Sequence, residues 1–178
     1  MKMRAKQKGA FAVELAFIMG ILTTVILFVS DLSTQVLTKT QVERVSYSLA
    51  STLKERARFY EGRQVVSQED FEQLNEIAAE MLNLQAPVKR DGYGLYVEAL
   101  IPLGEGEESS QHFAQNFDSE SQCRGNKNIE SLSGLMPERD DGLQFPIYQV
   151  TVCLKVDGYF SDHTSYRHLQ ASSVVPGR

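Results

Sequence analysis

The sequence predicts an α+β chain. A long N-terminal transmembrane helix continues into a small antiparallel-sheet domain. Three observations lead there. Residues 10–30 form one apolar stretch of 21 residues, 16 of them Ala, Val, Ile, Leu, Met or Phe, with Glu14 the only charge. No Gly or Pro interrupts residues 32–61, so the helix can run on past the apolar part. Further along, Tyr93, Leu95, Val97 and Ile101 recur at alternate positions of residues 93–101, and residues 147–156 alternate apolar and polar side chains, the two-residue period of a strand.

The first element is set by length. At 1.5 Å per residue, a 21-residue helix is roughly 30 Å long, the thickness of a hydrocarbon core. Lys2, Arg4, Lys6 and Lys8 precede it without an acid, which places the N-terminus in the cytoplasm and the body outside. The apolar run is too long for a secretory signal peptide and lacks an A-x-A cleavage pattern. After Gly9 the chain has 14 Lys and Arg against 23 Asp and Glu, a net charge of −9. That balance argues against nucleic acid as a partner, because neutralising phosphates needs bases.

The helix is expected over residues 10–60, ended by Gly62. Its apolar positions Leu32, Val36, Val45, Leu49 and Leu53 should pack on the globular part. A second helix is expected over 68–84, capped by Ser67 with Asp70 three residues on, and stopped by Pro87. Phe71, Leu74, Ile77 or Ala78, and Met81 would form its buried face. The turn Arg90-Asp91-Gly92 opens the strand over 93–101. Residues 104–142 are rich in Gly, Ser, Asn and acids and read as one long surface loop, functional or partly disordered. A strand over 147–156, a turn at Asp157-Gly158 and a return strand over 164–175 complete the sheet.

Glu14 fits a plain anchor badly. A carboxylate at membrane depth costs roughly 2.5–3.5 kcal/mol at a helix centre, so it marks a function or a partner. The residues around it carry a family resemblance. A short basic leader closing on Lys8-Gly9, then Ala10-Phe11-Ala12-Val13-Glu14-Leu15, resembles a type IV prepilin cleavage site. Within that superfamily the chain looks most like the pseudopilins of the tight-adherence (Tad/Flp) system, TadF or TadE, with TadF favoured. Type II secretion pseudopilins usually open with Phe and Thr where Ala10 and Phe11 stand, and the major Flp pilin has Tyr in place of Leu15.

The resemblance implies three parts: a leader at 1–9, the membrane part of the helix at 10–30, and an extracytoplasmic α+β pilin-like domain at 31–178. It implies cutting by a prepilin peptidase between Gly9 and Ala10. Glu14, then fifth in the mature chain, would pair with the new α-amino group of Ala10 on a neighbouring subunit. Its partners would be that peptidase, other pilins or pseudopilins and the assembly platform of the bacterial inner membrane. Its work would be pilus assembly and surface adhesion rather than catalysis. The rival reading is an uncleaved, single-pass anchor carrying an envelope binding module.

The chain has two cysteines, Cys123 and Cys153. The topology puts both in an oxidising compartment, where a disulfide would tie the long loop to the central strand. The resemblance adds to that expectation, since many pilin-like proteins carry a C-terminal bond. A free nucleophile is the alternative, but Cys153, mid-strand between Val152 and Leu154, is poorly placed for one. His112, His163 and His168 show no zinc spacing, no catalytic or phosphate-binding motif occurs, and no cofactor is expected. Residues 138–142 hold acids that could take Ca²⁺ but lack the alternation of an EF-hand, so a solvated turn is expected.

Overall fold

The computed structural model describes residues 8–59, 64–84, 92–104, 107–115, 123–138, 140, 142, 144–156 and 168–177. Helix α1 runs unbroken from Lys8 to Phe59. Up to Ser30 its described side chains are exposed on every side. Thr23 and Thr24 donate their hydroxyls to the carbonyls four residues back, at 2.8 and 2.9 Å, so neither is left bare among apolar neighbours.

The second half of α1 meets the domain through Val42, Val45, Leu49, Ala50 and Leu53, all buried. Their spacing of three and four residues makes one stripe. Leu32 and Val36, expected on the same face, are 50% and 57% exposed instead. At 100° per residue, Val36 lies about 180° around the axis from Val45, so both cannot face the sheet. Ser46 is the polar member of the buried stripe. Its Oγ donates to Ser173 Oγ at 2.6 Å and approaches the Val150 carbonyl at 3.3 Å.

Helix α2 spans Gln68–Met81 and starts on the predicted capping box. Asp70 N–H donates to Ser67 Oγ at 3.2 Å, and Ser67 N–H donates to Asp70 Oδ2 at 3.0 Å. Phe71, Leu74 and Ala78 form its buried face, with Ala78 rather than Ile77 inward. Met81, expected inside, is 40% exposed, and Leu82 takes the buried position. The helix stops there, before 84, because Asn83 turns to φ 52 and the N–H groups of Asn83 and Leu84 close on the carbonyls of Glu80 and Ala79. Gly62 and Pro87, the expected stops, lie outside the described residues.

Four strands form one antiparallel sheet in the order β2-β1-β3-β4. They are β1 (Tyr93–Gly104), β2 (Glu107–Gln115), β3 (Ile147–Lys155) and β4 (His168–Pro176). Helix α1 lies over β3 and β4. Helix α2 lies over the other half, where Phe71 stacks on Phe113 of β2 at 5.9 Å and Tyr93 Oη donates to Asn75 Oδ1 at 3.1 Å. Tyr93, Leu95, Val97, Ala99 and Ile101 of β1 join Tyr148, Val150 and Val152 of β3 in the core between sheet and helices. Tyr148 Oη donates to the Gln64 carbonyl at 3.0 Å, pinning the segment after α1; burial pushes this hydroxyl up to about 12.

Residues 104–142 are not one loop. They supply β2, which pairs with β1 from Leu95↔Gln115 to Gly104↔Glu107, and a short 3-10 helix at Ile129–Leu135. Strand β2 sits at the sheet edge and sends few apolar residues inward, so its sequence shows little alternation. The backbone ladder to β1 defines it instead.

The second face of the sheet is covered too. Residues 123–136 cross it as a strap. At one end Cys123 and Cys153 pack with Tyr96; at the other, Ile129 and Met136 pack with Leu100 and Ile147. Between these apolar ends lies a buried polar belt of Glu98, Gln149 and Thr151.

Candidate functional site

Lys8, Gly9 and Ala10 fall in the first turn of α1. Glu14 stands on the same helix, exposed, beside Phe11 at 70%, Val13 at 57% and Leu15 at 48% exposure. Among the described side chains no cation or hydrogen-bond donor meets it. A carboxylate on an otherwise apolar helix surface is suited to a positive partner supplied by another chain.

Beside it, Ala12, Ala16, Gly20 and Thr24 recur every four residues and floor a shallow groove walled by Phe17 and Ile21. A Cβ built on Gly20 would meet nothing, so the groove is open to a neighbour. Small residues at this spacing let two helix backbones approach within lipid. This stripe was readable in the sequence as small residues at i, i+4, i+8 and i+12. Helix α1 is long and apolar enough to cross a membrane, by length and composition. Asp31, just past the apolar stretch, is the first described side chain along α1 to be buried.

The two cysteines meet. Cys123 and Cys153 are bonded at 2.03 Å with their Cα atoms 5.8 Å apart, closing a separation of 30 residues. The bond fixes the strap to the central strand β3. Arg124, next to it, places its guanidinium 5.8 Å from the Tyr96 ring centroid. The Tyr96 hydroxyl is pushed up, first by burial and then by the Glu98 charge, with Arg124 opposing.

The remaining sequence candidates do not assemble. His112 is exposed on β2 and His168 on β4; His163 lies outside the described residues. Glu138 pairs by an isolated bridge with Gln144, and Arg139 and Asp141 lie outside the described residues. Among the described residues no three His, Cys, Asp or Glu side chains are grouped so as to hold a metal.

A family model described as "Putative tight adherence pilin protein F" matches residues 2–178, through both the apolar helix and the sheet domain. The chain belongs to the TadF family. No curated protein and no solved structure matches it. TadF is a pilin family, and pilins are structural proteins rather than enzymes. Family and long apolar helix together point to a membrane-anchored pilus component that associates with other pilins. The choice of TadF over TadE, which rested on overall likeness, agrees with the match.

Proposed function

We propose that the chain is a minor pseudopilin of a Tad/Flp-type pilus. In this reading a prepilin peptidase cuts after Gly9 on the cytoplasmic side. Glu14 then pairs with the α-amino group of Ala10 on a neighbouring subunit during assembly. The inner membrane holds the α1 span, and the sheet domain stands on the periplasmic side. The observation that carries the reading is Glu14, exposed and unpaired among the described side chains on an apolar helix surface. Two opposite charges that meet there neutralise each other, whereas either alone in lipid is costly. The small-residue groove gives the neighbouring helix a place to pack.

The test is intact mass and N-terminal sequencing after expression with and without a prepilin peptidase. The expected result is a mature chain beginning at Ala10, lost in Gly9→Val. Retention of residues 2–9 under both conditions would make residues 10–30 a permanent anchor and overturn the processing step.

A further inference from the structure

The strap and the β1–β2 half of the sheet enclose a concavity of about 390 Å³, within the usual range for ligand sites. None of the assembly features above uses it. Its walls are firm. Strands β1 and β2 make one side, and the strap is held by the disulfide and by hydrogen bonds from the sheet. Gln149 Nε2 donates to the Lys127 carbonyl at 3.1 Å, and Gln170 Nε2 donates to the Arg124 carbonyl. Gly125 is what lets the strap lie this close, since a Cβ there would collide with the Gln149 amide.

The lining is hydrophilic and of both signs. Glu98, on β1 and 7% exposed, sits between Tyr96 and the strap, where the Ile129 N–H bonds its carboxylate. Arg124 and Lys127 bring two cations, matched by Glu98 and Glu130. Ser110 Oγ donates to Glu130 Oε1 at 3.2 Å and Asn128 Nδ2 donates to Glu130 Oε2 at 3.3 Å, so this corner is organised before any ligand arrives.

We propose that this concavity is a binding site for a neutral saccharide. The argument is one of matching. The carboxylates only accept hydrogen bonds, and Arg124 and Lys127 only donate them. Ser110, Asn128 and His112 do both. A ligand that satisfies such an interleaved set needs groups that each donate and accept, which is what a sugar hydroxyl is. Phosphate would face Glu98 and Glu130, and a cation would face Arg124 and Lys127. Glu98 is a buried carboxylate whose charge is costly away from water, and a hydroxyl donor in the concavity would add to the Ile129 N–H that already bonds it. The proposal is independent of cleavage after Gly9, because the site lies wholly in the sheet domain.

The test uses the full chain in a detergent without a sugar headgroup. Saturation-transfer NMR is run with galactose, mannose, N-acetylglucosamine and lactose, with inorganic phosphate in a parallel arm. The expected result is transfer to at least one sugar, with a Kd on the order of 1 mM. Glu98→Gln and Asn128→Ala should each weaken it about tenfold. The Asn128 side chain makes no capping bond to the 3-10 helix and bonds instead to the exposed Glu130, so Asn128→Ala keeps the fold and decides the matter should Glu98→Gln misfold. Transfer to none of the four sugars, equal affinity in the folded variants, or displacement of the sugar by phosphate would each overturn the proposal.

Discussion

Arg56 Nη1 donates to Asp70 Oδ1 at 2.9 Å, joining the far end of α1 to the first turn of α2. The side chains are 16% and 6% exposed, and the same Asp70 carboxylate closes the capping box on Ser67. Arg56 Nη2 also donates to Gln73 Oε1 at 3.0 Å. At the other end of α2, Gln41 Nε2 donates to the Met81 carbonyl at 3.2 Å. These two ties set α2 antiparallel to α1, so both helices cover one face of the sheet. Asp70→Ala should destabilise the chain by about 2–3 kcal/mol, from the broken ion pair and the lost cap. Asp70→Asn should cost less, because it keeps a capping acceptor. Guanidinium unfolding followed by circular dichroism reads both; an unchanged midpoint for Asp70→Ala would show that the pair holds nothing.

Glu98 makes stability depend on pH. Burial lifts its carboxyl above the ordinary value of 4.5, and the nearby Glu130 adds to this, while Arg124, His112 and the Ile129 N–H oppose. The folded chain therefore holds this proton more tightly than the unfolded chain. Its contribution to stability is largest below 4.5 and falls as pH rises through the raised value. Glu98→Gln is neutral throughout and loses that dependence. Denaturant midpoints at about pH 4 and about pH 7.5 should show the variant gaining on the parent only at the higher value.

Gly125→Ala tests the strap's approach to the sheet. The new Cβ would displace the Gln149 amide, which is 2% exposed and bonded to the Lys127 carbonyl. Gln149 Oε1 already has no hydrogen-bond partner among the described residues, so the displaced amide would leave more of the belt unsatisfied. A loss of about 1–3 kcal/mol is expected. A midpoint equal to the parent's would mean the strap can lift at no cost.

Reducing the Cys123–Cys153 bond, or replacing both residues by Ser, opens a closed separation of 30 residues. The chain-entropy account gives about 3–4 kcal/mol. With Cys123 released, Tyr96 loses the cover it shares with the bond. Its phenol should then titrate closer to its ordinary value of 10.0, as read by ultraviolet absorbance. Unchanged Tyr96 titration in the reduced chain would show that other contacts hold the strap.

Glu14→Gln separates insertion from assembly. The apolar stretch is untouched, so the variant should reach the membrane like the parent. Incorporation into a pilus should be lost, as seen by shearing surface filaments and probing them for the chain. Normal incorporation would remove the assembly role assigned to Glu14.

What the sequence determined by itself is what rests on local chemistry. The apolar length of residues 10–30, the Ser67–Asp70 cap and the alternation in β1 and β3 each need only near neighbours to be read. The cysteine pairing was expected from the topology and the family resemblance, and Cys123 and Cys153 are bonded. Tertiary structure decided the rest. Strand β2 exists because β1 offers its backbone a ladder, not because its side chains alternate. Val42, rather than Leu32 or Val36, faces the sheet because a straight helix can present only one stripe to a flat surface. The sequence held one clue to the polar concavity, a Glu98 set between apolar residues two positions either side. Its meaning waited on the strap, since Arg124 and Glu130 come to Glu98 from more than twenty residues away. Groups that far apart in the chain meet only when a disulfide and a packed face bring them together.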